Sequence, residues 1–119
     1  MEIKFIAEEK GFIIEADDRK LWVSYDEFKG DHEDAMKFCK EQGGGDETVE
    51  NLRFIARHRD AINEELKKLG KASMSSEWHW TNELIWWGDG FAFSVFMHRG
   101  YVNTNSCYGI SVARAISVL

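Results

Sequence analysis

The chain has 119 residues and a net charge of −6, with 21 acidic against 15 basic side chains. This balance excludes a general nucleic-acid binder, because phosphate neutralisation requires clustered Lys and Arg. The length is typical of one domain with its own core, and we predict a single domain over residues 1–119. No apolar run approaches the roughly 18 residues that span a bilayer, so no membrane insertion is expected.

The N-terminus lacks the features of a secretory signal peptide. Residues 1–5 alternate polar and apolar side chains, without a basic n-region or an apolar h-region. We therefore expect a protein that stays in the cytoplasm of the producing cell or is associated with a phage. Cys39 and Cys107 are then expected to be free, partly buried thiols, and the alternative is a disulfide that ties the first helix to the sheet.

Three short strands are predicted in the first 25 residues. Residues 2–8 alternate apolar and polar side chains, which is typical of a half-buried strand. Residues 12–15 and 21–25 are further apolar, β-branched or aromatic runs, and turn residues separate the three runs. This pattern predicts a small antiparallel meander.

The first of two predicted helices begins after Asp31. The Asp31 side chain is suited to cap the helix, and Asp34 follows at the capping-box position. Glycines at positions 43–45 end the helix, because glycine adopts positive φ without a steric penalty.

The second predicted helix is capped by Thr48 and ends at Gly70, with a bend near residues 58–60. Apolar side chains recur along it at helical spacing. Its opposite face carries charged residues that include Arg53 and Arg57. We expect that charged face to be solvated rather than to bind a partner.

Residues 78–119 are rich in aromatic side chains and poor in charge, and they predict an antiparallel sheet with long loops. Residues 91–98 are apolar on both faces, which is typical of a central strand. A last strand is expected over residues 110–118, with small side chains on one face that allow a helix to approach. The preceding chain is expected to cover one side of this sheet, so the fold class is α+β.

Five sequence blocks carry a family resemblance. Residues 31–43 place Ala, Cys and Gly at the spacing of a W-x-x-A-x-x-x-C-x-x-x-G helix, and residues 59–70 match a run like INaaLkklG. Residues 78–83, 92–100 and 112–116 are similar to a WYWSSTE block, an AW-x-V-x-F-x-x-G strand and a closing VRAVR strand. In this order they resemble the Lcl C-terminal (DUF1566) type of C-type-lectin-like domain, found in bacteria and phages. The resemblance covers nearly the whole chain and implies a C-type-lectin-like fold.

The chain departs from this pattern at several positions. His32 stands where the family helix has Trp, Asp46 and Glu47 stand where it has Leu-Pro, and the WYWSSTE-like block is one residue shorter. The chain is therefore interpreted as a divergent member.

The resemblance implies a non-enzymatic recognition module, since related domains resemble receptor-binding or surface-adhesion units. Tyr, Trp and Asn side chains in exposed loops suit this role, because aromatic rings are platforms for sugars and protein partners. Trp78 and Trp80 are expected in the core. The expected partner is a surface glycan or a protein, and the candidate ligand-binding residues are Trp86, Trp87, Asp89, Tyr101, Asn103, Asn105 and Tyr108.

Other functions have weaker support in the sequence. A structural domain that self-associates through its aromatic face, as a homo-oligomer, is the first alternative. A calcium site or an enzyme needs converging carboxylates, and the C-terminal segment offers only Glu77, Glu83 and Asp89. No catalytic residue, metal site or cofactor is predicted, because no metal-ligand spacing connects the four histidines, His32, His58, His79 and His98.

Overall fold

The structure, a computed structural model, describes residues 3–85 and 90–119. These residues form three helices and nine strands, and the strands are arranged in two sheets. The predicted α+β class is therefore confirmed. The strands are β1 (Lys4–Ala7), β2 (Gly11–Ala16), β3 (Arg19–Ser24), β4 (Phe28–Gly30), β5 (Trp78–Leu84), β6 (Phe91–Phe96), β7 (Tyr101–Ser106), β8 (Ser111–Ala113) and β9 (Ile116–Val118), and the helices are α1 (His32–Glu41), α2 (Val49–Arg57) and α3 (Arg59–Lys68).

The smaller sheet has four strands in the order β1-β2-β3-β9. Strands β1 to β3 form the predicted antiparallel meander. Asp17 and Asp18, with φ of 52° and 64°, make the tight turn between β2 and β3. The sequence pattern does not predict that β9 joins this sheet, where Ile116 pairs with Val23 of β3.

The larger sheet has five strands in the order β4-β8-β5-β6-β7. Strand β6 lies between β5 and β7, as predicted for a central strand. The sheet is mixed, and not antiparallel as predicted, because β8 runs parallel to β5 where Val112 pairs with His79. Strand β4, which the sequence pattern does not predict, pairs with β8 at one edge.

The prediction of one strand over residues 110–118 is wrong, because β8 and β9 belong to different sheets. The Arg114 side chain is 2% exposed and lies at the crossing between them. Its Nη1 donates to the carbonyl oxygens of Ser24 at 2.6 Å and Tyr25 at 3.0 Å. The Ala115 N–H donates to Ser24 Oγ at 3.0 Å. These hydrogen bonds satisfy the backbone where the chain passes from one sheet to the other.

Helix α1 begins as predicted. Asp31 Oδ1 accepts a hydrogen bond from the Asp34 N–H at 2.9 Å, and Gly43 follows the helix with a φ of 95°. Its buried residues include Ala35 and Cys39. Capping and periodicity therefore located this helix correctly.

The second predicted helix is two helices, α2 and α3, so the described residues form three helices rather than the predicted two. The break falls at His58, inside the predicted bend, where ψ is 12°. The His58 ring packs edge-on against Phe54 at 4.8 Å, and its Nε2 lies 3.3 Å from Asp17 Oδ2. Among the described residues, no helix has the length and apolar character needed to cross a membrane.

The larger sheet is covered on both faces, not on one side as predicted. Trp80 packs in one core with Ala35 and Cys39 of α1. Val95 packs in the other core with Leu52 and other residues of α2. Trp80 pairs with Ser94, so Val95 points to the opposite face, because successive strand side chains alternate.

Small side chains allow α1 to lie close to the larger sheet, as the last-strand pattern predicted. Ala92, Ala113 and Ala115 are fully buried and pack in the α1 core. The described connections in this sheet are short, and not the predicted long loops: residues 97–100 join β6 to β7, and residues 107–110 join β7 to β8.

Candidate functional site

One end of the α1-facing side of the larger sheet is open. Trp80, under α1, is 1% exposed. Trp78 lies two residues earlier on the same strand and face, and it is only half-buried. It lines a groove of about 410 Å³, which we name the Trp78 groove. The groove is also lined by Lys29, Glu77, Phe96, Asn105 and Ile110.

Three aromatic side chains form a row across neighbouring strands, which we name the aromatic row. Trp78 of β5 pairs with Phe96 of β6, and Phe96 pairs with Tyr101 of β7. The Trp78 and Phe96 ring centroids are 5.1 Å apart, and Tyr101 is 60% exposed. Directly paired residues share a sheet face, so the row presents one aromatic surface to solvent.

Polar side chains lie beside this row on the same face. Asn103 pairs with Ser94, and Asn105 follows two residues later on β7. The Asn105 amide nitrogen donates to Ser94 Oγ at 2.9 Å, which satisfies a buried hydroxyl. Asn103 Oδ1 accepts from the Thr104 N–H at 2.8 Å. The Asn103 amide nitrogen and the Asn105 amide oxygen make no hydrogen bond to the described residues.

The rim of the Trp78 groove carries a charged pair. Lys29 Nζ lies 3.3 Å from Glu77 Oε1, and both side chains are exposed. Ser75 Oγ donates to Glu77 Oε2 at 3.2 Å. An exposed pair contributes little to stability, so these groups are available as a donor and an acceptor at the rim.

Behind the groove, a buried ionic network connects the two sheets. Glu27 Oε1 accepts from Arg114 Nη2 at 2.6 Å and from the Ser75 N–H at 2.8 Å. His79 Nε2 lies 3.7 Å from the same oxygen, and His79 Nδ1 donates to the Glu77 carbonyl at 2.9 Å. Burial raises the pKa of Glu27, but the nearby His79 and Arg114 outweigh it and hold that pKa at about 2.

The position of this network in the interior indicates a structural role. His79 is fully buried, and burial lowers the pKa of Arg114, although Glu27 opposes this shift. Both Nη atoms of Arg114 donate hydrogen bonds, whereas Arg114 Nε and His79 Nε2 have no hydrogen-bond partner among the described residues. The network therefore connects β5 to the segment before β4 and to the crossing between β8 and β9.

The predicted ligand-binding residues fall into three groups. Tyr101, Asn103 and Asn105 share one face of β7, so the structure brings them together, on a strand rather than in a loop. Tyr108 is 87% exposed and lies apart, beside Gly90. The remaining three, Trp86, Trp87 and Asp89, lie outside the described residues.

Two groove residues were missed by the sequence prediction. Trp78 was expected in the core with Trp80, but it is half-buried, and Phe96 was not selected. A signal existed: Trp78 and Phe96 lie at the strand ends farthest from the small residues that accommodate α1. Helix α1 buries Trp80 but not Trp78, and the alternation of side chains along the strand cannot reveal this difference.

His32 and the two cysteines do not line the Trp78 groove, whereas the His98 ring meets Phe96 edge-on at 5.9 Å. His32 Nε2 lies 2.8 Å from the Thr81 carbonyl oxygen, and its ring meets Trp80 edge-on at 5.2 Å. Cys39 and Cys107 are both free, and burial raises the pKa of the Cys39 thiol to about 12. Within residues 3–85 and 90–119, no three His, Cys, Asp or Glu side chains are grouped to hold a metal ion.

No family model matches the chain, and no curated protein or solved structure matches it either. The resemblance to the Lcl C-terminal type of C-type-lectin-like domain therefore stays a prediction from the five sequence blocks. Any function assigned to the Trp78 groove rests on its geometry.

Proposed function

We propose that this protein is a non-enzymatic recognition module that binds a surface glycan on the aromatic row and in the Trp78 groove. The observation that carries the proposal is the alignment of Trp78, Phe96 and Tyr101 across three neighbouring strands. Natural ligand sites combine such apolar surfaces with a few polar groups that fix orientation.

The groove offers both kinds of contact that a sugar ring needs. The ring's C–H face stacks on Trp78 and Phe96, whose edges and faces remain partly exposed. Its hydroxyl groups hydrogen-bond to Asn103, Asn105 and the Lys29–Glu77 pair. Lys29 and Glu77 form an ion pair that is exposed to solvent. The pair is therefore better suited to orient hydroxyl groups by hydrogen bonding than to transfer protons.

The C-type-lectin-like fold and a bacterial or phage surface setting belong to the same proposal. Packing supports the fold, because two blocks that carry the resemblance lie together: Ala35 and Cys39 of α1 share a core with Ala113 and Ala115. In this setting the partner is a glycan or a protein on a cell surface.

A second candidate function is self-assembly, which strand β7 favours. This strand forms one edge of the larger sheet and has no charged side chain over its six residues. The other edge of that sheet, β4, is three residues long and carries Lys29. Long, uncharged edges pair readily with another strand, so two copies would join through β7.

The test is binding of the purified protein to an array of bacterial surface glycans, with and without calcium. Trp78→Ala is expected to abolish binding and leave the fold intact. The matched control is Tyr108→Ala, which removes an exposed aromatic ring outside the groove. It is expected to bind as the unmodified protein does.

Each other outcome contradicts part of the proposal. Loss of binding in Tyr108→Ala but not in Trp78→Ala would place the site elsewhere. Silence across the array would reject a glycan ligand, and a dimeric mass in solution would then favour self-assembly through β7. A requirement for calcium would show that the sequence analysis was wrong to predict no metal site.

A further inference from the structure

A second groove, of about 680 Å³, lies between α2 and the turn that joins β6 to β7. Its lining includes the apolar residues Val49 and Ala56, together with Gly100. Gly100 has a φ of +74°, and a Cβ placed there would lie 3.7 Å from Ala56 Cβ. The turn therefore packs directly against α2, and the groove has walls fixed by secondary structure.

Three arginines line this groove, which we name the arginine groove: Arg53 and Arg57 from α2, and Arg99 from the turn. They lie together although the whole chain has a net charge of −6. Arg53 and Arg57 are four residues apart on one helix, where like charges are destabilising. None of the three forms an ion pair with a carboxylate of the described residues.

Two carboxylates also line the arginine groove, but other groups engage them. Glu50 forms an ion pair with Arg19. Glu83 Oε1 accepts from the Val49 N–H at 2.7 Å, at the first turn of α2. The groove lining thus holds three guanidinium groups against two carboxylates, and it keeps an excess of positive charge.

Two further contacts involve side chains that line this groove. The Arg57 guanidinium lies over the Phe54 ring at 5.9 Å. Arg59 Nη1 lies 3.2 Å from His98 Nδ1. A guanidinium only donates, so His98 Nδ1 is the acceptor and its proton lies on Nε2. His98, which lines the groove, therefore supplies a further donor.

We propose that the arginine groove binds a phosphoryl group, as free phosphate or on a phosphorylated saccharide. Guanidinium groups match the geometry and charge of phosphate oxygens, because each presents paired N–H donors and a positive charge. This site is separate from the Trp78 groove and goes beyond the proposed glycan recognition. It is an alternative to the prediction that the charged face of α2 is only solvated.

The test is an NMR titration of the full chain with inorganic phosphate and, separately, with glucose 6-phosphate, with sodium chloride at matched ionic strength as reference. Saturable shifts are expected at the backbone amides of Ala56, Arg57 and Gly100. Arg53→Gln/Arg57→Gln is expected to weaken binding at least tenfold, because charge-assisted hydrogen bonds are lost. Tighter binding of glucose 6-phosphate would identify the saccharide as part of the ligand.

The matched control is Lys37→Gln/Lys40→Gln, which removes the same charge from the exposed face of α1. It is expected to change phosphate affinity less than twofold. The proposal would be overturned if the two double variants lost phosphate affinity equally, or if the chemical shifts changed at all basic residues. It would also be overturned if the titration did not saturate. Trp78→Ala should bind phosphate normally, so failure of glycan recognition and failure of this site can be told apart.

Discussion

Trp78 and Trp80 lie two residues apart on β5 and point to the same face of one sheet, yet their environments differ. Trp80 is enclosed under α1, and its Nε1 donates to the Gly30 carbonyl at 2.9 Å. Trp78 stacks on Phe96 and borders an open groove. The same residue type on the same face is therefore core at one end and surface at the other.

The difference comes from the neighbours across the sheet. Near Trp80, Ala92 and Ala113 leave room for α1 to pack against the sheet. Near Trp78, the aromatic row fills that space with bulky rings. Helix α1 packs on Trp80 where small residues flank it, and the aromatic row lies outside that core. The limit of α1 packing thus defines where the candidate binding surface begins.

The largest expected effect is on Trp80. Trp80→Ala should lower the free energy of unfolding by about 3–5 kcal/mol, because it leaves a cavity and deprives the Gly30 carbonyl of its donor. Trp78→Ala should cost about 1 kcal/mol, since its ring is only partly enclosed. Urea unfolding, followed by circular dichroism, measures both values.

A second substitution keeps this test informative if Trp80→Ala does not fold. Trp80→Phe preserves most of the ring volume but removes the Nε1 donor, so a loss of about 1–3 kcal/mol is expected. Equal costs for the Trp78 and Trp80 variants would contradict the assignment of one to the surface and the other to the core.

His79, between the two tryptophans, points to the opposite face and sharpens the comparison through the Glu27 network. The pKa of Glu27 is about 2 in the folded protein, below its ordinary value of 4.5. Glu27 thus binds a proton less readily in the folded protein than in the unfolded chain. The stabilisation by ionised Glu27 is therefore complete above pH 4.5. It should be lost as pH falls from 4.5 to about 2, and it amounts to about 3 kcal/mol.

Urea unfolding of the unmodified protein and of Glu27→Gln, between pH 7 and pH 2, measures this loss. Glu27→Gln should be less stable at pH 7 and should lack that decline. Glu77→Gln, which alters an exposed acid nearby, should keep it. Burial raises the pKa of Glu47 above 4.5. The stabilisation by protonated Glu47 is therefore lost as pH rises above 4.5, which is outside the range between pH 4.5 and about 2. The same decline in Glu27→Gln would refute the role assigned to the network.

Local sequence signals predicted the elements that depend on near neighbours. The Asp31 cap, the glycine at position 43, the antiparallel meander and the central strand, predicted over residues 91–98 and found as β6, are all set by short-range chemistry. The crossing at Arg114 was missed, because its hydrogen-bond partners, Ser24 and Tyr25, lie about 90 residues away in sequence. Alternation continued through that crossing and imitated one strand.

The candidate site was partly predictable for the same reason. The sequence selected Tyr101, Asn103 and Asn105 as loop residues, and their spacing of two puts them on one face of β7. Phe96 pairs with Tyr101, and Trp78 pairs with Phe96. Both come from other strands, and strand register is a long-range property. Composition predicted which side chains suit a ligand, but not which of them α1 leaves uncovered.

The smallest expected effects distinguish two asparagines of β7, and they decide how binding data should be interpreted. Asn105→Ala should cost about 1 kcal/mol, because the buried Ser94 hydroxyl loses its hydrogen-bond partner. Asn103→Ala should cost less than about 0.5 kcal/mol, since Asn103 is exposed and, within the described part of the chain, its side chain bonds only its neighbour Thr104. Urea unfolding measures both costs, and a larger cost for Asn103→Ala would contradict the assignment. If these costs are measured, weaker glycan binding by Asn105→Ala has two causes, a less stable strand and a lost contact with the ligand. Equally weak binding by Asn103→Ala then reports the lost ligand contact alone.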